Sequence, residues 1–126
     1  DGDVLASDLK NLDEEENGSI LISGELLHPK SGNADVFGIH LKKKGSYRIH
    51  MKLRSDLGGL AQIPVTVYCN NTLKTMVSVQ GSEGGWLEID RNLDVLMAGN
   101  HYIKFYYGGN GLEFETIRIY LEEEYD

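Results

Sequence analysis

The sequence has a single cysteine, Cys69, so no internal disulfide can form and the fold must stand on its core. That cysteine lies on an alternating run, Val65-Thr66-Val67-Tyr68-Cys69, and reads as a packed strand thiol rather than a nucleophile. Proline is almost missing, with two in 126 residues, and only 25% of residues are charged, which argues against long disorder. No apolar run approaches the roughly 20 residues a spanning helix needs. No signal-peptide pattern opens the chain; it begins at Asp1 in an acidic segment and reads as a mature or excised piece. Basic residues are few: 12 Lys and Arg against 20 Asp and Glu leave a net charge of −8. Only Lys42-Lys43-Lys44 forms a basic run, just before a turn, so nucleic acid and anionic membranes are poor partners. The four histidines, His28, His40, His50 and His101, show no metal-ligand spacing. Ser-His-Asp, P-loop and dinucleotide patterns are missing too, and nothing local marks a carboxylate pair for glycoside hydrolysis.

What is present is strand pattern. With 40% hydrophobic residues in 126, the chain can fill one core, and it reads as a single domain over 1–126. Residues 1–17 form a poorly determined N-terminal segment, open to a short helical turn or to a first strand plus loop, and 122–126 an acidic tail. Ser19–Leu27 reads as a strand carrying Gly24, and Val36–Leu41 as a short one. In Tyr47–Arg54, Tyr47, Ile49, Met51 and Leu53 alternate with Arg48, His50, Lys52 and Arg54, the mark of a strand wet on one face. Ile63–Cys69 alternates again. Asn70-Asn71 suits a two-residue hairpin turn, because asparagine tolerates positive φ, and Leu73–Val79 returns along it. Trp86–Asp90 reads as a strand, followed by a loop and a short strand Leu93–Leu96. His101–Tyr107, the turn Gly108-Gly109-Asn110-Gly111 and Leu112–Leu121 complete the chain. In the last strand the inward face changes between Phe114 and Ile117, which predicts a bulge or a switch of sheet. Gly108–Gly111 lies between two strands rather than ahead of a helix, so it is no phosphate cradle. Eight or nine strands with short Gly- and Asn-rich turns and no helix predict an all-β, two-sheet antiparallel sandwich.

Taken in order, several stretches resemble carbohydrate-binding modules of families 6 and 35. Gly45-Ser46-Tyr47 and its strand resemble the "G-x-Y" turn, and Val65–Asn71 the hairpin that follows it. Gly84-Gly85-Trp86 and then Leu96-Met97-Ala98-Gly99-Asn100-His101-Tyr102-Ile103-Lys104-Phe105 resemble the "GGW … L-x-A-G-x-H-x-I" run. Glu113–Ile119 stands where the family has "N-(apolar)-D-x-I-x-(apolar)". The match covers roughly residues 36–121. It implies a galactose-binding-like jelly roll acting as a non-catalytic module. Such a module holds a secreted or cell-surface bacterial glycan-degrading enzyme on its polysaccharide or oligosaccharide, with the parent catalytic domain as its other partner. Three departures stand out: Ile89 replaces the family's second aromatic, Glu113 its ligand Asn, and Glu115 the Asp that partners calcium. The N-terminal "E-A-E" signature is reduced to Val4-Leu5-Ala6-Ser7-Asp8, so a structural calcium ion stays open.

Sugars stack their C–H faces on aromatic rings while polar groups pair with their hydroxyls. On the resemblance, the candidate carbohydrate-binding residues are Trp86, Tyr107, Asn110, Glu113 and Phe37, with Asp56 set apart from them. Phe37 fits the core better than a site, and Trp86 fits a core anchor between the sheets as well as it fits a sugar platform. A site on a concave face would instead draw on Arg48, His50, Lys52 and the outward side of 101–107. The alternative function is a structural or protein-interaction sandwich that binds no sugar. A buried Trp86 would favour it; an exposed Trp86 beside Glu113 and Tyr107 in a groove would count against it.

Overall fold

The structure, a computed structural model, describes residues 10–12 and 18–125. Apart from Lys10–Leu12, which is strand, the expectations placed on 1–17 lie outside the described residues, as does Asp126. Nine strands occur among the described residues: β1 (Lys10–Leu12), β2 (Ile20–Ser23), β3 (Ala34–Leu41), β4 (Gly45–Ser55), β5 (Gln62–Cys69), β6 (Thr72–Gln80), β7 (Trp86–Leu96), β8 (Gly99–Tyr107) and β9 (Leu112–Glu124). They form a five-stranded sheet in the order β1-β3-β8-β5-β6 and a four-stranded sheet in the order β2-β9-β4-β7. Only β1, which runs parallel to β3, departs from antiparallel pairing. The expected all-β sandwich is what the chain adopts.

The period of two builds the core. Tyr47, Ile49, Met51 and Leu53 of β4 face Ile63, Val65, Val67 and Cys69 of β5 and Ile103, Phe105 and Tyr107 of β8 in one buried cluster. Each fully buried aliphatic side chain there contributes roughly 1.5–3 kcal/mol of transfer free energy. The expected change of face in β9 is a bulge. Lys52 pairs with Thr116 but Leu53 with Phe114, so Glu115 is skipped in the strand register with β4. The extra residue lets Leu112 and Phe114 point inward on one side of it and Ile117 and Ile119 on the other. Asn70 and Asn71 take φ of 52° and 67°, the two positive values a tight primed turn requires.

Several boundaries differ from the sequence reading. Strand β7 runs unbroken from Trp86 to Leu96, without a loop after Asp90. Its partner β4 is equally long, and an irregularity opposite Ser46 and Arg48, with Asp94 at φ 63°, absorbs the polar Asn92–Asp94 stretch. Strand β2 stops at Ser23 and a single 3₁₀ turn, Gly24–Leu26, follows. Gly24 packs so tightly on β9 that a Cβ there would lie 1.8 Å from the Phe114 carbonyl oxygen. Strand β3 begins at Ala34, two residues early, because its pairing with β8 already starts at Tyr106. The acidic tail is not a loose end: β9 continues to Glu124, which pairs with Gly45.

Candidate functional site

Antiparallel pairing brings the end of β4 beside the starts of both β7 and β9. Arg54 is therefore the cross-strand neighbour of Trp86 on one side and of Glu113 on the other. All three project from the outer face of the four-stranded sheet. The Arg54 guanidinium carbon lies 4.5 Å from the centre of the Trp86 ring, and the Lys52 ammonium 5.8 Å from it. Arg54 also donates from Nε and Nη2 to Oε1 of Glu113, at 3.0 and 2.7 Å. A guanidinium lying over an indole and forked to a carboxylate fixes both neighbours. Trp86 stays 41% exposed, so a ring surface remains open to solvent.

Beyond this row the three loops after β4, β6 and β8 meet. The Asp56 N–H donates to the Gly111 carbonyl at 3.0 Å, Gly84 N–H to the Ser55 carbonyl at 2.8 Å, and Glu83 N–H to the Leu57 carbonyl at 3.0 Å. Ser55, fully buried, donates its N–H to the hydroxyl oxygen of Ser82 at 3.0 Å. Between the loops lies a cleft of about 170 Å³ lined by Arg54, Asp56, Gly84, Gly111, Leu112 and Glu113. Gly111, at φ +115°, is required there: a Cβ would lie 2.5 Å from Oδ1 of Asp56. Asp56 thus sits over the turn, exposed, and its carboxylate has no hydrogen-bond or ion-pair partner among the described residues.

Of the residues chosen from sequence, the structure brings together Trp86, Glu113 and Asp56. Asn110 is on the same β8–β9 turn but is turned to the other side, where its Oδ1 accepts the Ser31 N–H at 2.9 Å. Phe37 and Tyr107 are corrections. Phe37 is 1% exposed and packs its ring 6.1 Å from that of Phe105. Tyr107 is fully buried, packs against Phe114, and donates its hydroxyl to Oδ2 of Asp35 at 2.7 Å. Burial, and then this bond, push its phenol far above the usual range. Both positions fall on the inward face of their strands, so neither ring can meet a ligand. A concave-face site joining Arg48, His50 and Lys52 to the outward side of 101–107 is also excluded, because β4 and β8 belong to different sheets and their outer faces look in opposite directions.

Arg54 was the residue missed. Alternation placed it outward at a strand end, but its two cross-strand partners depend on register. Farther along the same face is a second charged group. Asp90 accepts hydrogen bonds from Arg48 Nε and, at 2.7 Å, from the Tyr120 hydroxyl, and lies 3.2 Å from His50 Nδ1. Glu88 Oε1 is 2.9 Å from His50 Nε2. Partial burial pushes the Asp90 carboxyl up, but Tyr120, Arg48 and His50 together outweigh it and hold it below the usual carboxylate value. Glu88, assisted by Asp90, holds His50 above the usual imidazole value despite some desolvation.

For calcium, the test falls on Glu115, which Lys52 engages at 3.2 Å. Among the described residues no three acidic, histidine or cysteine side chains converge as metal ligands. The segment Val4–Asp8 lies outside the described residues.

No protein-family model and no curated relative matches the sequence. Solved structures share the fold. A β-glucosidase from Paenibacillus barengoltzii matches 90% of this chain with 11% of its own, at a TM-score of 0.70 and 22% identity. The chain thus spans about a tenth of that protein's length. The C-terminal family 6 carbohydrate-binding module of a marine laminarinase from Zobellia galactanivorans matches 81% of this chain with 98% of its own, at a TM-score of 0.67 and 19% identity. A family 35 module in complex with a glucuronic acid-containing disaccharide matches 78% of this chain with 73% of its own, at a TM-score of 0.61 and 14% identity. The sandwich is therefore that of family 6 and family 35 carbohydrate-binding modules.

Proposed function

We propose that this sandwich is a non-catalytic glycan-binding module whose site is the cleft beside Trp86. The observation that carries the reading is the exposed Trp86 ring, held against Arg54, which in turn lines the neighbouring cleft together with Glu113 and Asp56, in a fold shared with sugar-binding modules. The indole supplies a stacking surface for a pyranose; Arg54, Glu113 and Asp56 supply hydrogen bonds to its hydroxyls. The cleft is shallow and covers few ligand atoms, so a single short glycan binds weakly, and avidity comes from tethering. The fraction of the β-glucosidase that this fold occupies supports a place inside a larger glycan-degrading enzyme, with the catalytic work done by another domain. A glycan array followed by calorimetric titration of the best binder tests the reading. Binding that disappears in Trp86→Ala supports it; silence across plant, microbial and host glycans, with calcium present, sinks it. A structural calcium ion would need ligands from the 4–8 segment besides Glu115. A melting temperature that is the same in calcium and in chelator would remove it.

A further inference from the structure

The charges around the cleft are unequal. Arg54 is the one cation among the six lining residues, and Glu113 engages it through two N–H groups while the Trp86 ring lies against the guanidinium. The other cation near Trp86, Lys52, is held by Glu115 at 3.2 Å. Asp56, by contrast, lines the cleft with a carboxylate that has no partner among the described residues, and Gly111 keeps the space it occupies clear. The cleft therefore offers an entering ligand a free negative charge and no free positive one.

We infer that the cleft ranks sugars by charge, with Asp56 as the determinant: amine-bearing sugars bind above neutral ones, and carboxylate-bearing sugars bind last. This rests on the proposed glycan site and specifies its ligand class. A protonated 2-amino group pairs with Asp56 and adds attraction to the stacking on Trp86. A uronic acid placed in the same pose sets its carboxylate against Asp56 and the second oxygen of Glu113, and could engage Arg54 only by displacing Glu113. At separations near 5 Å in a solvated cleft, one such charge interaction amounts to about three- to tenfold in affinity. Long-range attraction from the net charge of −8 acts in the same direction, so the local contribution must be separated from it.

The experiment titrates three oligosaccharides that differ only in charge: glucose-, glucosamine- and glucuronic acid-type oligomers of the linkage that the glycan array selects, at pH 6 and at low and 0.5 M salt. The expected order is amine, neutral, acid, with about three- to tenfold between neighbours at low salt and a smaller spread at high salt. Asp56→Asn should bring the amine-bearing oligomer to within about twofold of the neutral one, the ratio being taken within the variant so that a lost hydroxyl hydrogen bond, common to both oligomers, cancels. Glu123→Gln, which removes the same charge from the far end of β9, should leave the order intact. Binding of the acid oligomer as tightly as the neutral one, or an Asp56→Asn protein that keeps the wild-type gap between the amine-bearing and neutral oligomers, overturns the inference while leaving the glycan site standing. Failure of all three oligomers and of the array overturns both.

Discussion

The outer face of the four-stranded sheet carries two polar regions with opposite characters. In the middle, Arg48, His50, Glu88, Asp90 and Tyr120 satisfy one another: Asp90 alone receives three of the others. At the end, Arg54 and Glu113 are paired, but Trp86 keeps an open ring surface and Asp56 an unpaired carboxylate. A saturated cluster has little left to offer a ligand and contributes to the fold. An unsaturated one holds interactions in reserve for a partner. Their nearness on one face shows that charge density by itself does not mark a site; unmet bonding capacity beside a cleft does.

Substitutions can break or sharpen this contrast. The largest effect is expected from a position that the sequence assigned to the site and the structure assigns to the core. Tyr107→Ala should cost about 3–5 kcal/mol of stability by opening a cavity beside Phe114. Chemical denaturation measures it, and a loss below 1 kcal/mol would mean the ring is not a core anchor. Next comes Trp86→Ala, which should weaken glycan binding at least about tenfold, equivalent to about 1.4 kcal/mol, while shifting the melting temperature by no more than a couple of degrees. A large drop in melting temperature would instead make Trp86 structural. Asp90→Asn should do the reverse, removing about 1 kcal/mol of stability and leaving glycan affinity within a factor of two. Loss of binding in that variant would extend the site into the middle of the sheet.

The smallest effect is one of pH. His50 is held above the ordinary imidazole value of 6.5, so its share of stability is complete below that pH and is lost as pH rises through the folded value. Asp90 is held below the ordinary carboxyl value of 3.8, so its share is present above that pH and is lost as pH falls through the folded value. Because His50 is partly exposed, its share is a few tenths of a kcal/mol. Stability should decline slightly from pH 6 to pH 8, and His50→Gln should flatten that decline. An unchanged slope in the variant would show that another group is responsible.

Much of this architecture was legible beforehand because alternation is a local property. The inward faces of β4, β5 and β8, the Asn70-Asn71 turn and the change of face at Glu115 each follow from neighbouring residues and the period of two. Boundaries were less legible where a partner strand prolonged pairing, as at β7 and at the acidic end of β9. The site was only half visible. Alternation made Arg54 outward but could not say what stood beside it, and the family likeness drew Phe37 and Tyr107 toward a ligand although their strand positions face inward.

The sequence by itself determined the class of fold: strands wet on one face, one core, short turns that asparagine and glycine permit, and no disulfide to replace packing. Only the tertiary structure decided which side chains act together. Strand register set Trp86, Arg54 and Glu113 in one row, and the meeting of three loops set Asp56 over Gly111 at its end. The physical reason is range. Alternation and turn preference act over a few residues, whereas a site is assembled by pairings between residues tens of positions apart, each fixed by the burial of the opposite face.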